Sequence, residues 1–223
     1  MIQNILIDLD GTLTDPKVGI TTSARYGLEK VGHPISEDTN IDWIIGPPLK
    51  ASLAKILNVD ADDTLAEQAL MAYRERFAVT GLYENHVFEG VAETLAELKR
   101  RGYRLFLATA KPTVYARQIL EHFNLAQYFT EIYGSELNGD RTNKGELIQY
   151  ILEQQGIQAD QCIMVGDREH DIFGARHNGI ESIAVKYGYG SEIELQQAQP
   201  KYTIENFRHL LNYLTRIADK KLT

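Results

Sequence analysis

Short apolar runs alternate with amphipathic stretches along most of this chain. The run at 4–9 predicts a buried parallel strand, and similar runs at 104–108, 131–134, 161–165 and 182–186 predict further strands. Between them, apolar residues recur at helical spacing over 91–101, 114–123, 144–155 and 171–178, and again near the end over 206–217. Strand–helix alternation of this kind implies a parallel sheet with right-handed crossovers and helices on both faces.

The segment 16–84 breaks the alternation. It holds helical patterns at 20–31, 49–57 and 63–80 and no convincing strand. Gly46-Pro47-Pro48 punctuates it as a rigid loop. Asp15-Pro16 and Glu84-Asn85-His86 read as the two connections. The expected organisation is therefore an α/β core of residues 1–15 and 85–223 with a Rossmann-like parallel sheet, and an α-helical cap of residues 16–84 inserted over its carboxyl edge.

Composition narrows the partners. The 223 residues suit one large domain or a core with an insertion, and a net charge of -8 disfavours nucleic acid polymers and anionic membranes. Cys162 has no partner for an internal disulfide and reads as a small buried residue of a reducing, cytoplasmic setting. No basic leader precedes the first apolar run, and no run is long enough to span a bilayer.

Polar residues cluster where strands are expected to end. Asp8-Leu9-Asp10-Gly11-Thr12 follows the first, Thr109 the second, and Gly166-Asp167 the fourth, with Asp171 four residues on. Lys144 stands at a helix start, where a cation opposes the helix dipole and hints at a bound anion. Open α/β sheets place ligands at this carboxyl edge. Paired carboxylates there can bind a hard cation and divide the roles of nucleophile and general acid. Taken singly, each residue has an ordinary reading: Asp8 and Asp10 in an acidic turn, Thr109 and Asp171 as helix caps, Lys144 as a solvated lysine, Asp167 as a turn acid. Together those readings fail to account for the order and spacing.

These residues resemble the four motifs of the haloacid dehalogenase superfamily of phosphohydrolases: Asp8-Leu9-Asp10-Gly11-Thr12, Thr109, Lys144, and Gly166-Asp167 with Asp171. Gly46-Pro47-Pro48 and Tyr73-Arg74-Glu75-Arg76 resemble its phosphoglycolate phosphatase-like branch, which carries a helical cap. The resemblance implies that Asp8 attacks phosphorus and that Asp10 serves as general acid and then base. It implies that Thr109, the Ala110 amide and Lys144 hold the phosphoryl group. Mg²⁺ would rest on Asp8, the Asp10 backbone carbonyl and Asp167, with Asp171 behind them orienting Asp167 or Lys144. Gly46, Pro47, Pro48 and Arg74 are the candidate substrate contacts in the cap, with Lys111, Asp15 and Tyr187 as weaker ones. The implied activity is Mg²⁺-dependent hydrolysis of small phosphate esters by a monomer or homodimer, of the phosphoglycolate phosphatase type. A 5'-nucleotidase is the first alternative, followed by a sugar phosphomutase and a phospho-acceptor signalling module. The histidines show no transition-metal spacing and read as surface or packing residues.

Overall fold

The computed structural model describes residues 2–219. Its centre is a six-stranded, all-parallel sheet. The strands are β1 (Asn4–Ile7), β4 (Arg104–Pro112), β5 (Glu131–Ser135), β6 (Cys162–Gly166), β7 (Glu181–Val185) and β8 (Tyr202–Ile204), in the order β5-β4-β1-β6-β7-β8. The central strand β1 is buried along its whole length, so it needs no polar face, and its apolar run is the signature of that burial.

Alternate residues of β1 serve opposite layers. Leu6 joins Phe106 and Met164 under α6 (Lys144–Gln155) and α7 (Glu169–His177). Ile5 and Ile7 join Leu105, Ile163 and Val165 on the other face. There α4 (Val91–Arg100), α5 (Thr113–His122) and α9 (His209–Asp219) pack. A one-residue slip of β1 would exchange the two sets, so both layers fix its register. Cys162 lies inside; burial pushes its thiol up to about 11, and its Sγ–H donates to the Gln158 carbonyl at 3.2 Å.

A two-stranded antiparallel ribbon links this sheet to the helical segment. β2 (Thr14–Asp15) leads out and β3 (His86–Val87) leads back, with Thr14 opposite Val87 and Asp15 opposite His86. Between them lie α1 (Lys17–Lys30), α2 (Leu49–Leu57) and α3 (Thr64–Arg76), followed by a π-helical turn at Phe77–Gly81. The apolar residues of the insert, among them Ala24, Leu28, Leu53 and Leu70, form one continuous cluster with the α4–α5 side of the sheet. Arg76 pairs with Glu84 through two nitrogens at 2.7 and 2.8 Å and also reaches Ser23 Oγ, closing the return path of the chain.

Several expected elements shift. The helix of 63–80 ends earlier, at Arg76, and continues as the π turn. The helix of 171–178 starts earlier, at Glu169, so Asp171 is its third residue rather than its cap. Three short elements escaped the sequence pattern: the β2–β3 ribbon, strand β8, and helix α8 (Glu192–Ala198). Two- and three-residue strands are too short to show a period, and α8 is mostly polar. Among the described residues no helix is long and apolar enough to cross a membrane.

Helices α1 and α3 meet at glycine. A Cβ on Gly27 would lie 2.5 Å from the Ala69 carbonyl and 3.0 Å from the Tyr73 nitrogen. Alanine there gains roughly 1 kcal/mol of helix propensity. The obstacle is backbone, which cannot swing aside, and overpacking costs about 1–3 kcal/mol. Gly27→Ala should therefore lose up to about 2 kcal/mol net in urea unfolding, and a raised midpoint would refute this close approach.

Candidate active site

The chain leaves β1 in a tight turn. Gly11 adopts φ +82, its N–H donates to the Thr14 carbonyl at 2.8 Å, and Leu13 N–H donates to the Leu9 carbonyl at 2.8 Å. A side chain at Gly11 would strike the Asp167 carboxylate, with its Cβ 2.1 Å from Oδ2. The turn therefore presses the Asp8–Asp10 segment against the end of β6. Asp8, Asp10, Asp167 and Asp171 are all buried there.

Lys144 holds this acidic group together. Its Nζ lies 2.8 Å from Asp8 Oδ1 and 2.8 Å from Asp171 Oδ1, and donates to the Ala108 carbonyl at 2.7 Å. The start of α6 is capped separately: Asn143 Oδ1 accepts from Gly145 N and Glu146 N, so the lysine is free to turn inward. Two glycines make the room. A Cβ on Gly174 would sit 2.8 Å from Lys144 Cγ, and one on Gly166 would sit 2.2 Å from Asp171 Cγ. Asp171 Oδ2 accepts from Arg168 N at 3.1 Å, which fixes the turn carrying Asp167.

A second ammonium serves Asp10. Lys111 Nζ is 2.8 Å from Asp10 Oδ2 and lies 4.5 Å from the centre of the Phe77 ring. Thr109, expected either as a cap or as a phosphoryl ligand, lies inside β4, where its Oγ1 accepts from Lys111 N at 3.2 Å. Asp10 thus gives its side chain to Lys111. The carboxylates that can share one cation are those of Asp8, Asp167 and Asp171, each offering an oxygen within 4.8 Å of the others.

Charge is unbalanced in this cluster. Four buried carboxylates face the two ammoniums of Lys111 and Lys144, leaving two formal negative charges. Burial raises the Asp8 carboxyl above its ordinary range, with Lys144 pulling the other way. Burial likewise raises Asp10 against the pull of Lys111. Asp167 is raised well above its ordinary range, by burial and then by Asp171 and Asp8, against the pull of the Tyr189 N–H and Arg168. Burial acts to lower the Lys144 ammonium, but Asp171 and Asp8 together overcome it and hold its proton firmly. Asp167 Oδ2 accepts from Tyr189 N at 2.7 Å, while its Oδ1 is buried with no hydrogen-bond partner. An orphaned carboxylate oxygen among hard oxygen donors, in a net negative hole, fits a divalent cation such as Mg²⁺.

Above the cluster a cavity of about 340 Å³ opens between the sheet edge and the insert. Asp8, Asp10, Thr109 and Ala110 form its floor, and Gly46, Pro47, Pro48 and Arg74 are among its walls. Aromatic rings supply much of the rest. Tyr73 stacks on Phe77 at 5.0 Å, and Tyr115 meets Phe77 edge-on at 5.6 Å. Arg74 Nη2 donates to the Leu137 carbonyl of the core at 2.9 Å, so part of its guanidinium ties the wall shut. Asp15 and Tyr187 stand aside: Asp15 accepts from the Tyr189 hydroxyl, and the Tyr187 hydroxyl donates to the Thr12 carbonyl at 2.7 Å.

A family model for haloacid dehalogenase-like hydrolases matches residues 5–185. The chain belongs to this family. Within the haloacid dehalogenase-like hydrolases it is 48% identical to a 5'-nucleotidase of Pseudomonas aeruginosa over 199 residues, 89% of each chain. It is 38% identical to the tyrosine-protein kinase PtkA of Mycobacterium tuberculosis over 84% of this chain but 63% of that protein. It is 27% identical to the phosphoglycolate phosphatase of Vibrio parahaemolyticus over 94% of this chain and 95% of that one. A solved predicted phosphatase of Clostridium acetobutylicum superposes with a TM-score of 0.92 at 41% identity, covering 97% of this chain and 99% of that one. These haloacid dehalogenase-like relatives make the chain a hydrolase of phosphate monoesters.

Some site residues were not legible in sequence. Arg168 follows Asp167 directly and is buried, and nothing in its neighbours marks it. His170, grouped with surface and packing histidines, is half-buried and lines a small hollow beside Asp8 and Lys144. The aromatic wall lies on α3, the π turn and α5, which only the fold brings together.

The crowding at Asp167 has a measurable cost. Its folded carboxyl is raised, so its charge opposes folding above that raised value, and the penalty vanishes below the ordinary carboxylate range. In chelator-treated protein at neutral pH, Asp167→Asn should raise Tm by roughly 2–4 °C, the equivalent of about 1 kcal/mol at this chain length. The gain should shrink as pH falls towards the unfolded carboxylate value near 3.8. A lowered Tm would show that the carboxylate stabilises the metal-free fold.

Proposed function

We propose that this chain is a Mg²⁺-dependent phosphomonoesterase for nucleoside 5'-monophosphates, working through an aspartyl-phosphate on Asp8. The observation that carries the substrate class is the cavity. At about 340 Å³, with Tyr73, Phe77 and Tyr115 in its walls, it has the size and lining of a site for a drug-sized ligand with a flat ring. A two-carbon acid would leave most of it empty. The 48% identity to a protein named as a 5'-nucleotidase supports the same choice. Phosphoglycolate is the second reading, supported by the relatives of that name and by the buried Lys111 ammonium, a cation near the place where a second acidic group would lie.

On this reading an Asp8 oxygen bonds to phosphorus as the ester P–O bond breaks. Lys144 holds Asp8 in place and offsets its charge and that of the phosphoryl oxygens. Asp10 gives its proton to the departing alkoxide and later takes one from water as the acyl-phosphate is hydrolysed. Burial, which raises its carboxyl, favours the protonated form, and Lys111 acts in the opposite direction. Thr109 and Ala110 lie where they can contact the phosphoryl oxygens. Asp8 and Asp167, with Asp171 behind them and the Asp10 carbonyl beside them, would hold Mg²⁺, whose charge offsets the repulsion between the carboxylates and an incoming phosphate. Residues 16–84 act as the cap, with Gly46, Pro47, Pro48 and Arg74 facing the non-phosphate part of the substrate.

The test is phosphate release from adenosine, uridine and cytidine monophosphates, phosphoglycolate and sugar phosphates, with and without Mg²⁺. Nucleoside monophosphates should be preferred, and chelation should abolish turnover until Mg²⁺ is returned. Asp8→Asn should lose about 10³-fold or more in kcat with its fold intact. Preference for phosphoglycolate would select the second reading, and a long-lived phosphate on Asp8 with slow release would point to transfer rather than hydrolysis. Substantial activity in Asp8→Asn would remove the nucleophile assignment.

A further inference from the structure

Arg168 stands beside the acidic cluster and reaches into the insert. Its backbone belongs to the core: it follows Asp167, caps α7, and its N–H is held by Asp171 Oδ2. Its Nε donates to Glu194 Oε1 of α8 at 2.8 Å, and the same oxygen accepts from Glu169 N at 2.9 Å. Glu194 is itself set by its backbone N–H, which donates to Ser191 Oγ at 3.1 Å. The carboxylate thus fixes one side of the guanidinium.

The other side meets the loop that carries the cavity wall. Arg168 Nη1 donates to the Ile45 carbonyl and, at 3.4 Å, towards the Trp43 carbonyl. The Trp43 carbonyl belongs to a short 3-10 turn (Asp42–Ile44), and the Ile45 carbonyl to the link between that turn and α2. The next residue, Gly46, adopts φ +102, and a Cβ there would stand 2.8 Å from Arg168 Cγ. Gly46 is therefore the seat into which the arginine stem fits, and the loop can lie this close only with glycine at that position.

A buried arginine that served only to join α7 to α8 would have no reason to reach two carbonyls of the insert. Its fork geometry is used on both sides: carboxylate on one, carbonyls on the other. We propose that Arg168 is a positioning residue that latches the Trp43–Pro48 loop onto the turn bearing Asp167, so that the cavity wall and the carboxylate cluster are set by one side chain. The idea rests on reading the insert as the roof of a phosphate-ester site. Its exchange test is read on the free protein and does not depend on that reading, and its turnover test uses p-nitrophenyl phosphate and does not depend on the nucleotide assignment.

Hydrogen exchange of the full chain, without substrate, should be compared for the wild type, Arg168→Lys, Arg168→Gln and Glu194→Gln. Lysine can still meet Glu194 but has no second arm. In Arg168→Lys the amides of residues 42–50 should exchange at least about tenfold faster while α7 and α8 keep wild-type protection. Arg168→Gln should loosen 42–50 as well. Glu194→Gln, which leaves the arginine in place, should change 42–50 less than either. In turnover of p-nitrophenyl phosphate, KM should rise in Arg168→Lys by more than kcat falls. Wild-type exchange at 42–50 in Arg168→Lys, or loosening spread evenly over α7 and α8, would overturn the latch. So would a fall in kcat at unchanged KM.

Discussion

One buried lysine makes this site possible. Lys144 is the shared counter-charge of Asp8 and Asp171, and without it two carboxylates would face each other away from water. Removing one member of a buried ion pair typically costs about 3–5 kcal/mol, because the partner is left charged and dry. Much of the surrounding sequence follows from the need to bring that ammonium in. Gly174 clears a path for its stem, Gly166 clears space for Asp171, and Asn143 caps α6 so that the lysine need not. The motif glycines are spaces left for charged side chains.

Lys144 nevertheless leaves the ledger of charge open. Asp167 has a backbone N–H and an empty oxygen, and its neighbours are carboxylates. A fold selected for stability alone would fill that hole with an amide or an apolar group. The chain instead keeps a charge that burial opposes, which is what a cation site looks like when its own protein groups are counted without the cation. A divalent ion held there would offset the repulsion that the crowded carboxylates impose on the fold.

The legibility of the molecule follows burial and length. Fully buried strands such as β1 and β6 read directly, since both faces are apolar. Asp8, Asp10, Thr109 and Asp167 read because each stands where an apolar run stops, and Lys144 because it is a cation at a helix start. Strand β8 has three residues, two of them exposed, and carries no such signal. Lys111 read only as a weaker substrate contact and Arg168 not at all, for another reason. Lysine and arginine usually sit in solvent, and only the tertiary structure shows that one neutralises Asp10 and the other grips the insert. The aromatic wall needed three separate segments to converge. Charge placed against expectation, as at Lys144, was the one sequence cue that a buried network lay ahead.

The two arginines that cross between core and insert bear on how a cavity of this kind can open and still be exact. Arg168 runs from the core to the Ile45 carbonyl, and Arg74 runs from α3 to the Leu137 carbonyl. Both end on neutral backbone oxygens rather than on carboxylates. A charge-to-carboxylate tie would be strong, and costly to break once buried. A guanidinium on a carbonyl is a directional bond of modest net worth, about 1.5–3 kcal/mol, which water can replace when the roof lifts. Arg168 also pairs with Glu194 of α8, so its charge does not depend on the loop for a counter-ion. On the proposed reading of residues 16–84 as a cap, its roof is held in register by directional bonds of modest free energy. In the carboxylate cluster below, Asp8 and Asp171 are held by Lys144 of the core, so this pair does not depend on the roof for its counter-charge.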